Sequence, residues 1–74
     1  MRNLNDLKLG ELAIIKELTS QSNIRRRLQD IGFIRGAKVR KILKSPGGDP
    51  FAYLIVGTVI ALRNEDAKTV LVEY

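Results

Sequence analysis

The chain is 74 residues long and contains neither cysteine nor histidine, which excludes disulfide staples, thiol nucleophiles and histidine-based dyads or triads. The commonest zinc and iron ligands are missing for the same reason. A chain of this length makes one small domain that buries about 60% of the surface its unfolded form exposes, and its net charge of +5 suits nucleic acid, anionic lipid or an acidic protein face without choosing among them.

Met1–Asp6 lacks the apolar core of a signal peptide. The uncharged run Phe51–Leu62 falls short of the ~20 apolar residues of a membrane helix. A cytoplasmic protein without membrane insertion is expected, and a cysteine-free chain suits a reducing compartment. Gly10 provides a turn ahead of Leu12–Leu18, where alternation and β-branched residues read as a strand. The segment Thr19–Asn23 is rich in capping residues, so Ser20 or Ser22 is expected to accept from the free N–H groups of a helix start. Ile24, Leu28 and Ile31 then fall at i, i+4 and i+7, one apolar stripe of about two turns. Gly32 stands where a left-handed residue ends such a helix, and Arg35-Gly36 supplies the next turn.

Ala37–Lys44 reads as a strand with one wet face, and its alternation slips near Lys41-Ile42, which predicts a bulge. Phe51–Val56 and Thr58–Leu62 flank Gly57 as a tight hairpin. Asn64–Ala67 reads as one helical turn and Thr69–Glu73 as a last strand. The expectation is a mainly β fold: a small closed or partly open barrel of about five strands with one short α-helix, a single domain over residues 1–74. Closure hides strand edges that would otherwise pair with neighbours.

Three features invite a chemical reading. Ser45–Phe51 combines glycines with a preceding basic run, as phosphate loops do. A phosphate loop, however, opens a helix, whose N–H groups and dipole hold the anion. This one leads into a strand, carries Asp49, and loses a donor at Pro50; it reads as a connecting turn. Arg25-Arg26-Arg27 belongs to a basic middle third in which Arg25, Arg26, Arg27, Arg35, Lys38, Arg40, Lys41 and Lys44 face only Asp30. Successive helical residues lie roughly 100° apart, so the three arginines fan around the helix and cannot track one backbone together. They read as a solvated face or a contact for an acidic surface, with Arg26 placed to pair with Asp30. Glu65-Asp66 suits the first turn of a helix better than a metal, and no paired carboxylates suggest acid–base catalysis.

The ordered set Leu7-x-x-Gly10, Arg27-Leu28-x-x-Ile31-Gly32-Phe33-x-x-Gly36-x-x-Val39, Pro46-x-Gly48-Asp49-Pro50-Phe51 and Gly57-x-x-Ile60-Ala61-Leu62-Arg63-x-x-Asp66-Ala67-x-x-Val70-x-Val72 resembles the FeoA family over nearly the whole chain. Arg35 stands where the family often has proline, and Phe33 where leucine is common. The resemblance implies an SH3-like β-barrel in a prokaryotic cytoplasm. It also implies a role beside FeoB, a membrane ferrous-iron transporter with a cytosolic GTP-binding domain, and transition-metal binding as a family-level property. The residues themselves offer no catalytic set, no cofactor site and no ligand set for iron.

A non-enzymatic adaptor for the cytosolic part of FeoB is therefore expected, with Arg25, Arg26, Arg35 and an exposed Phe33 as contacts. Two alternatives stay open. One is a nucleic-acid-binding small barrel, although small barrels of that kind usually present exposed aromatics for stacking. The other is a stand-alone relative of the barrel domain found on iron-responsive repressors.

Overall fold

The computed structural model describes residues 2–73. Six antiparallel strands form one curled sheet in the order β1-β6-β2-β3-β4-β5: β1 Arg2–Asn3, β2 Leu12–Leu18, β3 Lys38–Lys44, β4 Phe51–Ile55, β5 Thr58–Leu62 and β6 Val70–Glu73. A 3-10 turn at Leu4–Asp6, helix α1 at Ser22–Ile31 and the single-turn helix α2 at Asn64–Ala67 complete the described chain. The sixth strand is β1, two residues that pair with Leu71 and Val72 and are too short for any periodicity to reveal.

Alternation sends one face of each strand into the core. Ala13, Ile15 and Leu18 of β2 are buried together with Val39, Tyr53, Ile55, Val70 and Val72. The spacing of the β2 set is stretched by an irregularity between Ile15 and Glu17 in its pairing with β6. The expected bulge in β3 is present: Lys41 faces Tyr53, Leu43 faces Ala52, and Ile42 is the extra residue. Strict alternation would send Leu43 inward after Val39 and Lys41. The bulge turns it out, and Leu43 is 61% exposed.

Helix α1 ends as its sequence predicts. Gly32 has φ +127°, donates to the carbonyl of Gln29, and is followed by Phe33 donating to the carbonyl of Leu28. This is the Schellman pattern, in which the residue after the glycine packs on the last turn. The N-terminus differs from expectation. Gln21, not Ser20 or Ser22, is the capping residue, and it makes no side-chain cap bond. Ser22 is already helical, and Ser20 is buried.

The glycine-rich segment joins β3 to β4. Two of its N–H groups are used internally, that of Gly48 on the Ser45 carbonyl and that of Ser45 on the Pro50 carbonyl. Asp49, which follows, accepts from the backbone N–H of Asn64 at 3.0 Å. That carboxylate therefore satisfies a free donor at the start of α2 from a distant loop.

Candidate protein-interaction surface

The basic middle third is thinner on the surface than in the sequence. Lys41 is only 3% exposed. Its ammonium donates to the carbonyls of Leu7 at 2.9 Å and Asn5 at 3.2 Å, and lies 3.8 Å from the centre of the Phe51 ring. Burial lowers its pKa below the ordinary lysine value, an effect offset in part by Asp6 and Glu11. This lysine is a latch that holds the 3-10 turn and the residues after it against the sheet. Arg40 is exposed but committed, donating to the Gly10 carbonyl at 2.7 Å.

Arg25, Arg26 and Arg35, expected as partner contacts, are all exposed, the first two on α1 and the third in the turn before β3. The ion pairs among the described residues are Arg2 with Glu11 and Lys16 with Glu73; the expected Arg26–Asp30 pair is not formed. Phe33 overturns the expectation made for it, because it is 0% exposed. The Schellman turn reverses the chain so that Phe33 folds back over Leu28, and both join the core. Its ring is a packing element of the core and offers no surface to a partner.

Two surfaces that mix apolar side chains with arginines went unread in the sequence. The first is the outer face of the sheet, where the register aligns Leu12, Arg40, Leu54 and Val59 in one row across four strands. Leu43, Ala52 and Ala61 form the next row. The second is a groove of about 210 Å³ between α1 and β5. Ile24, Leu28 and Ile31 form its helix wall, Ile60 lies on its strand side, and Arg27 and Arg63 line it as well. Only Arg27 of the three consecutive arginines lines this groove, as the fanning of the helix requires. Arg63 could have been noticed as the one base between the hairpin and α2, but nothing in its neighbours hinted at a groove.

Among the described residues no three of the aspartates and glutamates come together as a metal site. No helix among them is long and apolar enough to cross a membrane.

The sequence pattern of the family described as "FeoA domain" matches residues 2–74. A fusion protein of Porphyromonas gingivalis, named for both Fe(2+) transport protein A and the Fe(2+) transporter FeoB, is 31% identical over 70 residues. That match spans 95% of this chain and 8% of the fusion protein. The solution structure of FeoA from Chlorobium tepidum superposes with a TM-score of 0.91 at 32% identity, covering 97% of this chain and 69% of that one. The crystal structure of FeoA from Stenotrophomonas maltophilia, complexed with zinc and described as a procaryotic SH3 domain protein, gives 0.88 at 35% identity over 99% and 91% of the two chains. Its SH3 description agrees with the small curled sheet seen here. On fold, sequence and extent of match, the chain belongs to the FeoA family.

Proposed function

We propose that this protein is a non-enzymatic, cytoplasmic adaptor that binds the cytosolic part of a FeoB-type transporter and modulates ferrous-iron uptake. The observation that carries the reading is the Porphyromonas gingivalis relative, whose name joins the two activities in one polypeptide. Covalent fusion supplies high effective concentration to partners that otherwise meet by diffusion. The exposed arginines Arg25, Arg26 and Arg35 are the proposed acidic-surface contacts, Phe33 having been withdrawn to the core. The nucleic-acid alternative is weakened by the same geometry: Lys41 is buried, Arg40 is tied to a carbonyl, and Phe33 and Tyr53 are both inside.

The test is an NMR titration of the labelled chain with the GTP-binding cytosolic domain of the FeoB from the same genome. Shift changes confined to residues 25–36 and their neighbours are expected. A spectrum unchanged at saturating domain, beside tight and steeply salt-dependent binding to generic RNA or DNA, would replace this reading with the nucleic-acid one.

A further inference from the structure

Strand β5 is an edge of the sheet, and the turn before it determines which of its backbone groups face outward. Val56 and Gly57 form a two-residue loop with φ of +48° and +74°, the geometry of a type I′ turn. In such a hairpin the flanking residues, Ile55 and Thr58, exchange both hydrogen bonds, and bonded and non-bonded pairs alternate from there. Tyr53↔Ile60 and Phe51↔Leu62 are therefore bonded pairs. Val59 and Ala61 point their N–H and C=O groups away from β4, and these groups have no partner among the described residues.

Proteins usually blunt such an edge with lysine, proline, a bulge or a very short strand. The sequence Thr58-Val59-Ile60-Ala61-Leu62 contains no charge and no proline, and its register against β4 is unbroken. The groove runs alongside. It offers apolar side chains from α1 and β5 and two exposed guanidiniums, Arg27 and Arg63, against one carboxylate, Asp66.

From this juxtaposition we infer that the seam between α1 and β5 receives an extended segment of a partner protein, added as a seventh strand. The segment bonds to Val59 and Ala61, seats an apolar side chain over Ile60, and carries acidic residues toward Arg27 and Arg63. Main-chain bonds supply affinity in this mode and side-chain pockets supply selectivity. The charge decides between occupants. A second copy of this chain would bring its own Arg27 and Arg63 to the same place, whereas an acidic segment neutralises them. The inference concerns the form and charge of the bound segment and holds whichever protein supplies it.

The test uses the full chain and the peptide acetyl-Glu-Val-Glu-Ile-Glu-Val-Glu-amide, with a control in which lysine replaces each glutamate. Amide exchange at Val59 and Ala61 is expected to slow when the acidic peptide is added, with Ile60, already bonded, unchanged. Ala61→Pro removes only an outward donor, since proline is tolerated on an edge strand where its N–H faces solvent. That variant should keep its fold and bind the peptide roughly three- to tenfold more weakly. Arg27→Glu, on an exposed helix face, keeps the inference testable if the proline variant fails to fold, and it should also weaken binding. Three results would overturn the proposal: equal binding of the lysine peptide, binding without protection at Val59 and Ala61, or no binding at millimolar peptide. Protection of the same two amides in peptide-free protein, together with a doubled mass in sedimentation, would reassign the edge to self-pairing.

Discussion

Strands β1 and β5 end the same sheet, yet they are finished in opposite ways. The β1 edge is two residues long and is surrounded by polar bonds. Arg2 reaches Glu11 with both terminal nitrogens and the Asp6 carbonyl with one of them. Lys41 fixes the carbonyls of Asn5 and Leu7 from below, and the hydroxyl of Tyr53 lies 3.4 Å from the carbonyl of Leu4. The β5 edge is five residues long, apolar and bare. One edge is short and hemmed in by bonds made in folding, among them the Asn3 N–H donating to the Asp6 carboxylate, and the other leaves the outward groups of Val59 and Ala61 available to a partner. A chain of this size has few interactions to spare, so leaving an edge unguarded points to recognition more than neglect.

The contrast can be broken from either side. The largest effect is expected from Gly32→Val, where a Cβ would lie 3.2 Å from Val56 Cγ2 in a backbone conformation with φ +127°. Strain and overpacking together should cost about 2–4 kcal/mol, read as a lowered urea midpoint; a midpoint within error of wild type would refute the assigned turn. Lys41→Met preserves the side-chain stem and removes the ammonium, which leaves two carbonyls without their donor. A loss of about 1–3 kcal/mol is expected, and an unchanged midpoint would show that the latch adds nothing to the β1 edge.

Alkaline pH probes the same edge. Burial, with a smaller contribution from Asp49, pushes the Tyr53 phenol up to about 12 from its ordinary value of 10.0. Between those two values the unfolded chain has lost this proton and the folded chain has kept it. The unfolded state then binds fewer protons, and stability falls as pH rises through that window. Lys41 acts the other way, because its pKa is lowered on folding: below the ordinary lysine value the unfolded state binds more protons, so stability rises with pH there. Urea midpoints between pH 8 and 11 should therefore fall more steeply above pH 10 in Lys41→Met than in wild type. A parallel pair of curves would contradict the buried placement of Lys41. Tyrosinate absorbance in a Tyr74→Phe background should report the Tyr53 titration alone.

The smallest effect belongs to the bare edge and carries the opposite sign. Val56 is a β-branched residue at φ +48° and is 72% exposed. Asn-Gly is the preferred type I′ pair, so Val56→Asn should stabilise the chain by about 0.5–1 kcal/mol. A destabilised variant would mean that the contact of Val56 with the end of α1 outweighs the relief of strain.

How much of this was legible in the sequence follows from how locally each feature is encoded. Leu12–Leu18, the hairpin around Gly57 and the bulge near Lys41-Ile42 were readable because alternation and turn chemistry act over a few neighbours. Phe33 was misplaced although its signal was present: a glycine that ends a helix commonly folds the next apolar residue inward, and that outweighs any guess from nearby charge. Lys41 could not be placed from composition, because its partners Asn5 and Leu7 lie far away in the chain. The groove was illegible for the same reason. It joins Arg27 to Arg63 across the fold, and nothing local in either segment announces the other.

The pairing of Arg2 with Val72 bears on how such a barrel is tethered. Because β1 and β6 run antiparallel as neighbours, the two ends of the described chain, Arg2 and Glu73, lie close together. A protein joined to this barrel at one terminus would thus hold it by a single point and could let it pivot. Neither attachment would use the hydrogen-bonding groups of Val59 and Ala61, so a tethered barrel would still be able to engage a second chain.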